Sequence, residues 1–210
     1  MAQNARMPSP VFRLFPAHEY RRERWRNGAG WTREILTLSD GGEHPSGGDG
    51  WELRLSIAEI EAPAAYSCFP GMCREQVLLT GSGLQLQFGD GQQASLEPPH
   101  QRLRFPGDRK VSAAPVDGRV EVFNAIWRPS RLEVAVMHRP LVGSMFCFAD
   151  ATTSWVLHLL GGQARVAGDE VAGGALGNGD SAWLASAGRC RFAVEGGGEL
   201  LLLRLDRVDG

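Results

Sequence analysis

Short runs of alternating apolar and polar residues, separated by glycine-rich turns, recur along this chain of 210 residues. Residues 51–58, 84–88, 120–127 and 201–206 each alternate with a period of two, which is typical of half-buried β-strands. Helical periodicity is confined to a turn or two around residues 16–25. Many short strands at regular spacing predict an all-β protein built as a sandwich or closed barrel rather than an open parallel sheet.

The two halves of the chain repeat one pattern. In each half an apolar strand, at residues 77–80 or 156–160, enters a glycine turn, and a Gly-Asp pair follows later. Gly-Asp suits a tight turn, because glycine adopts a positive φ and aspartate hydrogen-bonds the local backbone. The repeat is typical of small jelly-roll barrels of the cupin type, so we expect two such barrels.

The joint between the barrels is predicted near residues 128–130, which read Arg-Pro-Ser. We therefore expect the first cupin barrel over residues 11–128 and the second over residues 129–210, and we leave open an exchange of strands between them. Residues 1–10 are rich in polar residues and proline, and we expect them to form a disordered tail.

Charge and hydropathy argue against several classes of partner. Lys+Arg 22 against Asp+Glu 24 gives a net charge of -2, and without a dense basic stripe we expect no nucleic-acid partner. No run approaches the roughly 18 apolar residues needed to cross a bilayer. The start of the chain lacks the apolar segment of a signal peptide. We expect a cytoplasmic protein without a membrane partner, and we leave open a homodimer.

The histidines and cysteines do not fall in metal-binding patterns. Metal-binding cupins present a His-x-His pair, because two imidazoles at alternate strand positions point to the same side. None of the five histidines has that spacing. Cys68 and Cys73 lie close together but lack the further ligands that zinc requires, and all four cysteines are expected to be free thiols. We expect no metal and no cofactor.

Four segments resemble a known family. Residues 25–35, Trp-Arg-Asn-Gly-Ala-Gly-Trp-Thr-Arg-Glu-Ile, resemble the Trp-x-Asn-Gly-Gly-Gly-x-Thr-x-Glu-Ile signature of the HutD/Ves family. Residues 54–58 are similar to its Arg-x-Ser-x-Ala strand, residues 66–74 to its Phe-Ser-x-Phe-Pro-Gly-x-Asp-Arg segment, and Phe123-Asn124 to its Asp-Phe-Asn. The segments keep the family's order and cover about residues 12–128.

The resemblance implies a bicupin without metal, with a ligand pocket in the first barrel. Members of the family accompany histidine-utilisation genes and are thought to restrain that pathway by binding urocanate or a formylated glutamate; no established catalytic activity comes with the family. This chain departs from the pattern at Ala29, where glycine is usual, and at Cys73 and Val122, where aspartate is usual. These departures leave open a change of ligand preference.

Two arginines and an asparagine fall on strand positions that would face the inside of the first barrel. An inward arginine must be paired or must face a ligand, and Asn124, which interrupts an apolar row, must be hydrogen-bonded. The alternatives are an ordinary surface position for Arg54 and Arg74 and a structural clamp for Asn124. The predicted ligand-binding residues are Trp25, Asn27, Thr32, Arg54, Ser56, Phe69, Arg74 and Asn124.

In this hypothesis Arg54 and Arg74 hold a ligand carboxylate through charge-assisted hydrogen bonds. Thr32 and two asparagines orient the ligand, and Trp25 and Phe69 cover its apolar part, although aromatic residues also serve as ordinary core. The predicted function is that of a metal-free regulatory protein that binds an anionic metabolite, such as urocanate or formylglutamate, and modulates histidine utilisation.

Two rival interpretations belong to other classes. One is a metal-independent isomerase or hydrolase with Glu34 as general base, since Glu34 and Thr32 share a strand face and could both reach a bound substrate. The other is a protein-interaction module that uses the outer sheet faces, which would present an exposed apolar patch.

Overall fold

β-Strands dominate the structure, a computed structural model that describes residues 10–39, 42–43, 50–169 and 171–208. A short 3-10 turn at Ala17–Glu19 accompanies them, in the region where the sequence indicated a helical turn. The predicted all-β class is confirmed. Residues 1–9 of the expected disordered tail lie outside the described residues. Within the described part of the chain, no helix has the length and apolar character to cross a membrane.

The chain divides into two compact units. The first barrel is Tyr20–Pro129, and the second barrel consists of the residues before Tyr20 together with those after Pro129. Strand β1 (Val11–Phe15) therefore belongs to the second barrel. The sequence predicted residues 11–128 for the first barrel and left an exchange of strands open; in the structure Val11–Phe15 lies with the residues after Pro129.

The first barrel contains two antiparallel sheets. Its strands are β2 Arg21–Arg24, β3 Gly30–Ser39, β4 Gly42–Glu43, β5 Leu53–Ile60, β6 Ala64–Ala65, β7 Cys73–Thr80, β8 Leu84–Phe88, β9 Gln93–Leu96, β10 Arg102–Pro106, β11 Val111–Pro115 and β12 Val120–Trp127. The larger sheet has the order β10-β7-β12-β5-β3-β2, with β4 paired to β3, and the smaller has the order β6-β11-β8-β9. The strands predicted at residues 84–88 and 120–127 form with those bounds.

Apolar side chains from both sheets pack into one core in the first barrel. Ala58 and Val122 come from the larger sheet, and Leu86 and Phe88 come from the smaller. On each strand the core residues lie two positions apart, because alternate residues of a strand share a face. On β8 the period-two pattern separates the buried Leu84, Leu86 and Phe88 from the exposed Gln85 and Gln87.

The second barrel is built from one sheet. After β1, its strands are β13 Leu132–Ala149, β14 Thr153–Gly168, β15 Gly174–Leu176, β16 Ser181–Ala185 and β17 Cys190–Arg207. Their order is β1-β16-β14-β17-β13, with β15 paired to β14. β13 and β17 are 18 residues long, and they pair with each other along their whole length. The core of this barrel, which includes Leu157 and Phe192, draws its buried residues from this sheet.

Candidate ligand-binding site

The inner face of the larger sheet changes from apolar to polar along its length. Ala58 and Val122 belong to the apolar core. Two residues away on the same strands lie Ser56 and Asn124, which are paired with each other across β5 and β12. Side chains two residues apart share a face, so Ser56 and Asn124 also point inward, and both are buried. The interior of the first barrel therefore has an apolar end and a polar end.

Two neighbouring rows of side chains, running across β7, β12, β5 and β3, make up the polar end. The rows are Gln76-Asn124-Ser56-Glu34 and Arg74-Ile126-Arg54-Thr37. We call the polar members of these two rows the polar interior. The sequence selected Arg54, Ser56, Arg74 and Asn124 as ligand residues, and the structure brings these four together.

A β-bulge adds Glu34 and Thr37 to the same face. Regular alternation would put residues three positions apart on opposite faces. The register between β3 and β5 shifts between Glu34 and Leu36, so that Glu34 opposes Ser56 and Thr37 opposes Arg54. One extra residue in a bulge resets the alternation. The carboxylate and the hydroxyl therefore both belong to the polar interior.

Arg74 is a buried cation held by neutral partners. Its Nε and Nη2 donate to Oδ1 of Asn124 at 3.0 and 2.7 Å. Its guanidinium carbon lies 4.2 Å from the centroid of the Tyr66 ring, within cation–π range. Burial lowers the pKa of Arg74, and the nearby charge of Arg54 lowers it further. Among the residues that the structure describes, no carboxylate forms an ion pair with this guanidinium.

Asn124 and Gln76 hold each other and Arg74 in fixed orientations. Oδ1 of Asn124 accepts a third hydrogen bond, from Nε2 of Gln76 at 2.8 Å. The same Nε2 donates to the hydroxyl of Tyr66 at 3.2 Å. A side-chain amide has one donor and one acceptor end, so these bonds determine which way both amides point. Burial raises the pKa of Tyr66, which keeps its hydroxyl neutral.

Arg54 and Glu34 form an ion pair at the other side of the polar interior. Nε of Arg54 lies 3.0 Å from Oε2 of Glu34, with the Glu34 side chain almost fully buried and that of Arg54 28% exposed. With Arg74, the polar interior holds two guanidinium groups and one carboxylate. It therefore has an excess of positive charge.

Several buried atoms of the polar interior lack a hydrogen-bond partner. In the described part of the chain there are six such side-chain atoms, and four of them are Glu34 Oε1, Thr37 Oγ1, Gln76 Oε1 and Arg54 Nε. The contact of Arg54 Nε with Glu34 is close, but it is not aligned as a hydrogen bond. Buried polar atoms are normally satisfied by protein or by water. Their concentration here marks the polar interior as a place where a bound molecule would find partners.

Three predicted ligand residues lie toward the apolar end. Nε1 of Trp25 donates to Oγ1 of Thr32 at 2.8 Å, and the indole packs against the apolar core and the edge of Tyr66. Asn27 is exposed in the turn between β2 and β3, where its Oδ1 accepts from the backbone of Ala29 at 3.1 Å. The structure thus joins Trp25 to Thr32 and places Asn27 apart from the polar interior.

The glycines of the same segment serve the backbone. A Cβ on Gly30 would lie 2.2 Å from the carbonyl oxygen of Glu59, and Gly28 has a φ of 71°, a conformation that favours glycine. Ala29 stands where the family pattern has glycine. Among the described residues, His100 is the one non-glycine with positive φ, so alanine fits the backbone at position 29.

The predicted Phe69 contacts an aromatic residue that the sequence did not single out. The rings of Phe69 and Trp51 lie edge to face, with centroids 5.9 Å apart. Phe69 precedes β7 and Trp51 precedes β5, at the strand ends nearest Arg74 and Arg54. This aromatic pair therefore lies at the same end of the sheet as the polar interior.

The other two departures from the family pattern, Val122 and Cys73, both lie in buried or partly buried surroundings. Val122 is fully buried in the apolar core of the first barrel, where a carboxylate would be costly. Cys73 is partly buried with Sγ 4.0 Å from the carbonyl oxygen of Phe105, and burial raises the pKa of its thiol. In the same two segments, Arg74 and Asn124 are the residues that the family pattern has at those positions.

The two β-barrels define the chain as an all-β protein with a cupin-type fold. The family model described as HutD matches residues 17–202, and the chain belongs to the HutD family. The resemblance of the four segments to HutD/Ves is thereby confirmed.

Three proteins similar to this chain come from Pseudomonas. A 21.2 kDa protein of Pseudomonas putida, described by its place in the hutC 3' region, is 39% identical over 118 residues, which are 56% of this chain and 59% of that protein. This chain thus matches about three-fifths of the relative's length. HutD from Pseudomonas fluorescens is 26% identical, with a TM-score of 0.78 over 95% of this chain and all of the other. A conserved protein of unknown function from Pseudomonas aeruginosa is 25% identical, with a TM-score of 0.81 and the same coverage.

Proposed function

We propose that the polar interior of the first barrel binds a small carboxylate metabolite, and that the chain is a metal-free regulatory binding protein of histidine utilisation. Membership of the HutD family supports the pathway, as does the relative found beside hutC. Urocanate and formylglutamate are the candidate ligands. The chain's proposed place of action is the cytoplasm.

The uncompensated charge of Arg74 is the observation that carries the proposal. Its partners, Asn124 and the Tyr66 ring, are neutral. A buried cation without a counter-ion is costly. A ligand carboxylate would supply the missing charge, and a guanidinium can engage it through two parallel hydrogen bonds.

The surroundings of Arg74 are already organised for such a ligand. Asn124 holds Nε and Nη2 from one side, and Gln76 fixes Asn124 in turn. A binding group whose orientation is set before the ligand arrives loses less conformational entropy on binding. Trp51 and Phe69, at the end of the sheet nearest the arginines, would contact the apolar part of the ligand.

Calorimetric titration of the purified chain with urocanate and with formylglutamate tests the proposal. Arg74→Met should weaken binding by about tenfold or more, the scale of a lost charged hydrogen bond of roughly 1.5 kcal/mol. Arg191→Met is the matched control, because Arg191 is an exposed arginine of the second barrel whose ion pair is with Asp169. Equal affinities for the wild type and Arg74→Met, or no binding of either carboxylate, would contradict the proposal.

A metal-independent enzyme is the second candidate, favoured by one observation. Oε1 of Glu34 is buried and has no hydrogen-bond partner among the described residues, so it could accept a proton from a bound substrate. Product formation from either candidate ligand that disappears in Glu34→Gln would establish this function. Binding without turnover would favour the regulatory role.

A further inference from the structure

The polar interior offers acceptors as well as cations. Oε1 of Glu34 and Oε1 of Gln76 are buried without a donor among the described residues, and the hydroxyl oxygen of Thr37 is unpartnered as well. A carboxylate oxygen can only accept, whereas a threonine hydroxyl can donate or accept. The guanidinium groups therefore account for only part of the hydrogen-bonding capacity of this site.

The orientation of Gln76 is not free to change. Its Nε2 donates to Oδ1 of Asn124 at 2.8 Å and to the Tyr66 hydroxyl at 3.2 Å. Turning the amide over would place its oxygen against Oδ1 of Asn124, where two acceptors would meet. Oε1 of Gln76 therefore remains an acceptor that faces away from these partners.

Glu34 has a partner at only one of its two carboxylate oxygens. Its Oε2 lies 3.0 Å from Nε of Arg54, with which it forms an ion pair. Oε1 is then a charged acceptor, and hydrogen bonds to charged acceptors are about twice as strong as neutral ones. Thr37 lies on the same strand face, across from Arg54, so its hydroxyl can assist the same contact.

A ligand made only of carboxylate groups does not satisfy these atoms. Its oxygens can pair with the arginines, but they bring no donor to Glu34 or Gln76. If such a ligand displaces water, the buried acceptors lose the partner that water supplied. A site built to hydrogen-bond a donor rejects an analogue that lacks it far more strongly than a hydrophobic pocket rejects a change of shape.

We infer that the first barrel selects carboxylates that also carry an N–H donor, and that Glu34 is the specificity-determining residue, assisted by Thr37 and Gln76. The ligand class is then a carboxylic acid that also offers an N–H group to Glu34. This inference rests on the proposed function, because it assigns the remaining contacts of the same site.

Two matched acids test the inference. Imidazole-4-acrylate (urocanate) carries a ring N–H, and 3-(2-furyl)acrylate has a similar ring and the same acrylate group without that donor. The wild type should bind the imidazole acid at least about tenfold more tightly, the factor that corresponds to one hydrogen bond to a charged group. Glu34→Gln should reduce this preference by about tenfold, and Thr37→Val should reduce it by less. Glu195→Gln and Thr80→Val, both exposed positions, should leave it unchanged.

The outcomes separate the inference from the proposed function. Equal binding of both acids by the wild type overturns the inference and leaves carboxylate binding in place. A preference that survives Glu34→Gln in full overturns the role of Glu34. If the wild type binds neither of these acids and does not bind formylglutamate, the proposed function is overturned and the inference with it. If Glu34→Gln does not fold, the ratio of the two wild-type affinities still decides whether an N–H donor is selected.

Discussion

The interiors of the two barrels differ in kind, although both barrels are built from antiparallel strands. The buried cluster inside the second barrel consists of leucine, valine, alanine, phenylalanine and cysteine side chains. The first barrel has such a cluster at one end and the charged and amide groups of the polar interior at the other. One fold can therefore enclose an apolar core in one copy and a partly polar interior in the other.

The largest expected difference between the two barrels is in the reactivity of their cysteine thiols. Burial raises the pKa of Cys147, inside the second barrel, to about 12, and the thiolate is the reactive form. Compared with a free thiol of pKa about 8.5, this lowers its thiolate fraction at neutral pH by more than about a thousandfold. Cys68 of the first barrel is exposed. With iodoacetamide at pH 8, mass spectrometry should find Cys68 modified within minutes and Cys147 only after unfolding; similar rates would mean that the second interior is open to water.

Truncation of a core side chain gives the next largest effect. Phe192→Ala removes a fully buried ring from the second barrel, and we expect a loss of about 3–5 kcal/mol in the free energy of unfolding. Phe146→Ala, on the outside of the same barrel and 54% exposed, should cost less than about 0.5 kcal/mol. Urea unfolding of both variants measures the difference. A small loss for Phe192→Ala would indicate that the second interior is not a tightly packed core.

A much smaller effect on stability than that of Phe192→Ala is expected in the polar interior. Arg74→Met replaces a buried cation with an apolar side chain of similar length, and Asn124 keeps its hydrogen bond from Gln76. Replacing buried charges by apolar groups is often neutral or stabilising, so the free energy of unfolding should fall by less than about 1 kcal/mol, or rise. Thermal unfolding followed by circular dichroism measures it. A loss as large as that of Phe192→Ala would show that Arg74 serves the fold rather than a ligand.

The strands and their inner faces could be predicted from the sequence because both depend on local alternation. β8 and β12 form where the pattern predicted them, and the same alternation placed Arg54, Ser56 and Asn124 on the inner face. Gln76 lies two residues from Arg74 on β7. Alternation along the strand therefore also predicts that Gln76 shares the face of Arg74.

Other parts of the site depend on features that short patterns do not encode. Thr37 shares a face with Glu34 only because β3 has a bulge, and nothing in the sequence marks its position. Tyr66 meets Arg74, and Trp51 meets Phe69, through the irregular stretches that precede β7 and β5, whose paths strand alternation does not determine. Asn27 was predicted from the sequence as a ligand contact. In the structure its Oδ1 accepts a hydrogen bond from the backbone of its own turn.

The pairing of β1 with β16 has a consequence for how the chain is made. Val11–Phe15 leaves the ribosome early, and its partner Ser181–Ala185 follows only near the other end of the chain. The contact from Ala17 to Asp180 spans 163 residues, so at roughly 5–20 residues per second the early strand waits on the order of ten seconds or longer. During that time the first barrel can finish folding by itself. A nascent chain released before residue 181 would keep Val11–Phe15 as an unpaired strand, open to chaperones and to other chains.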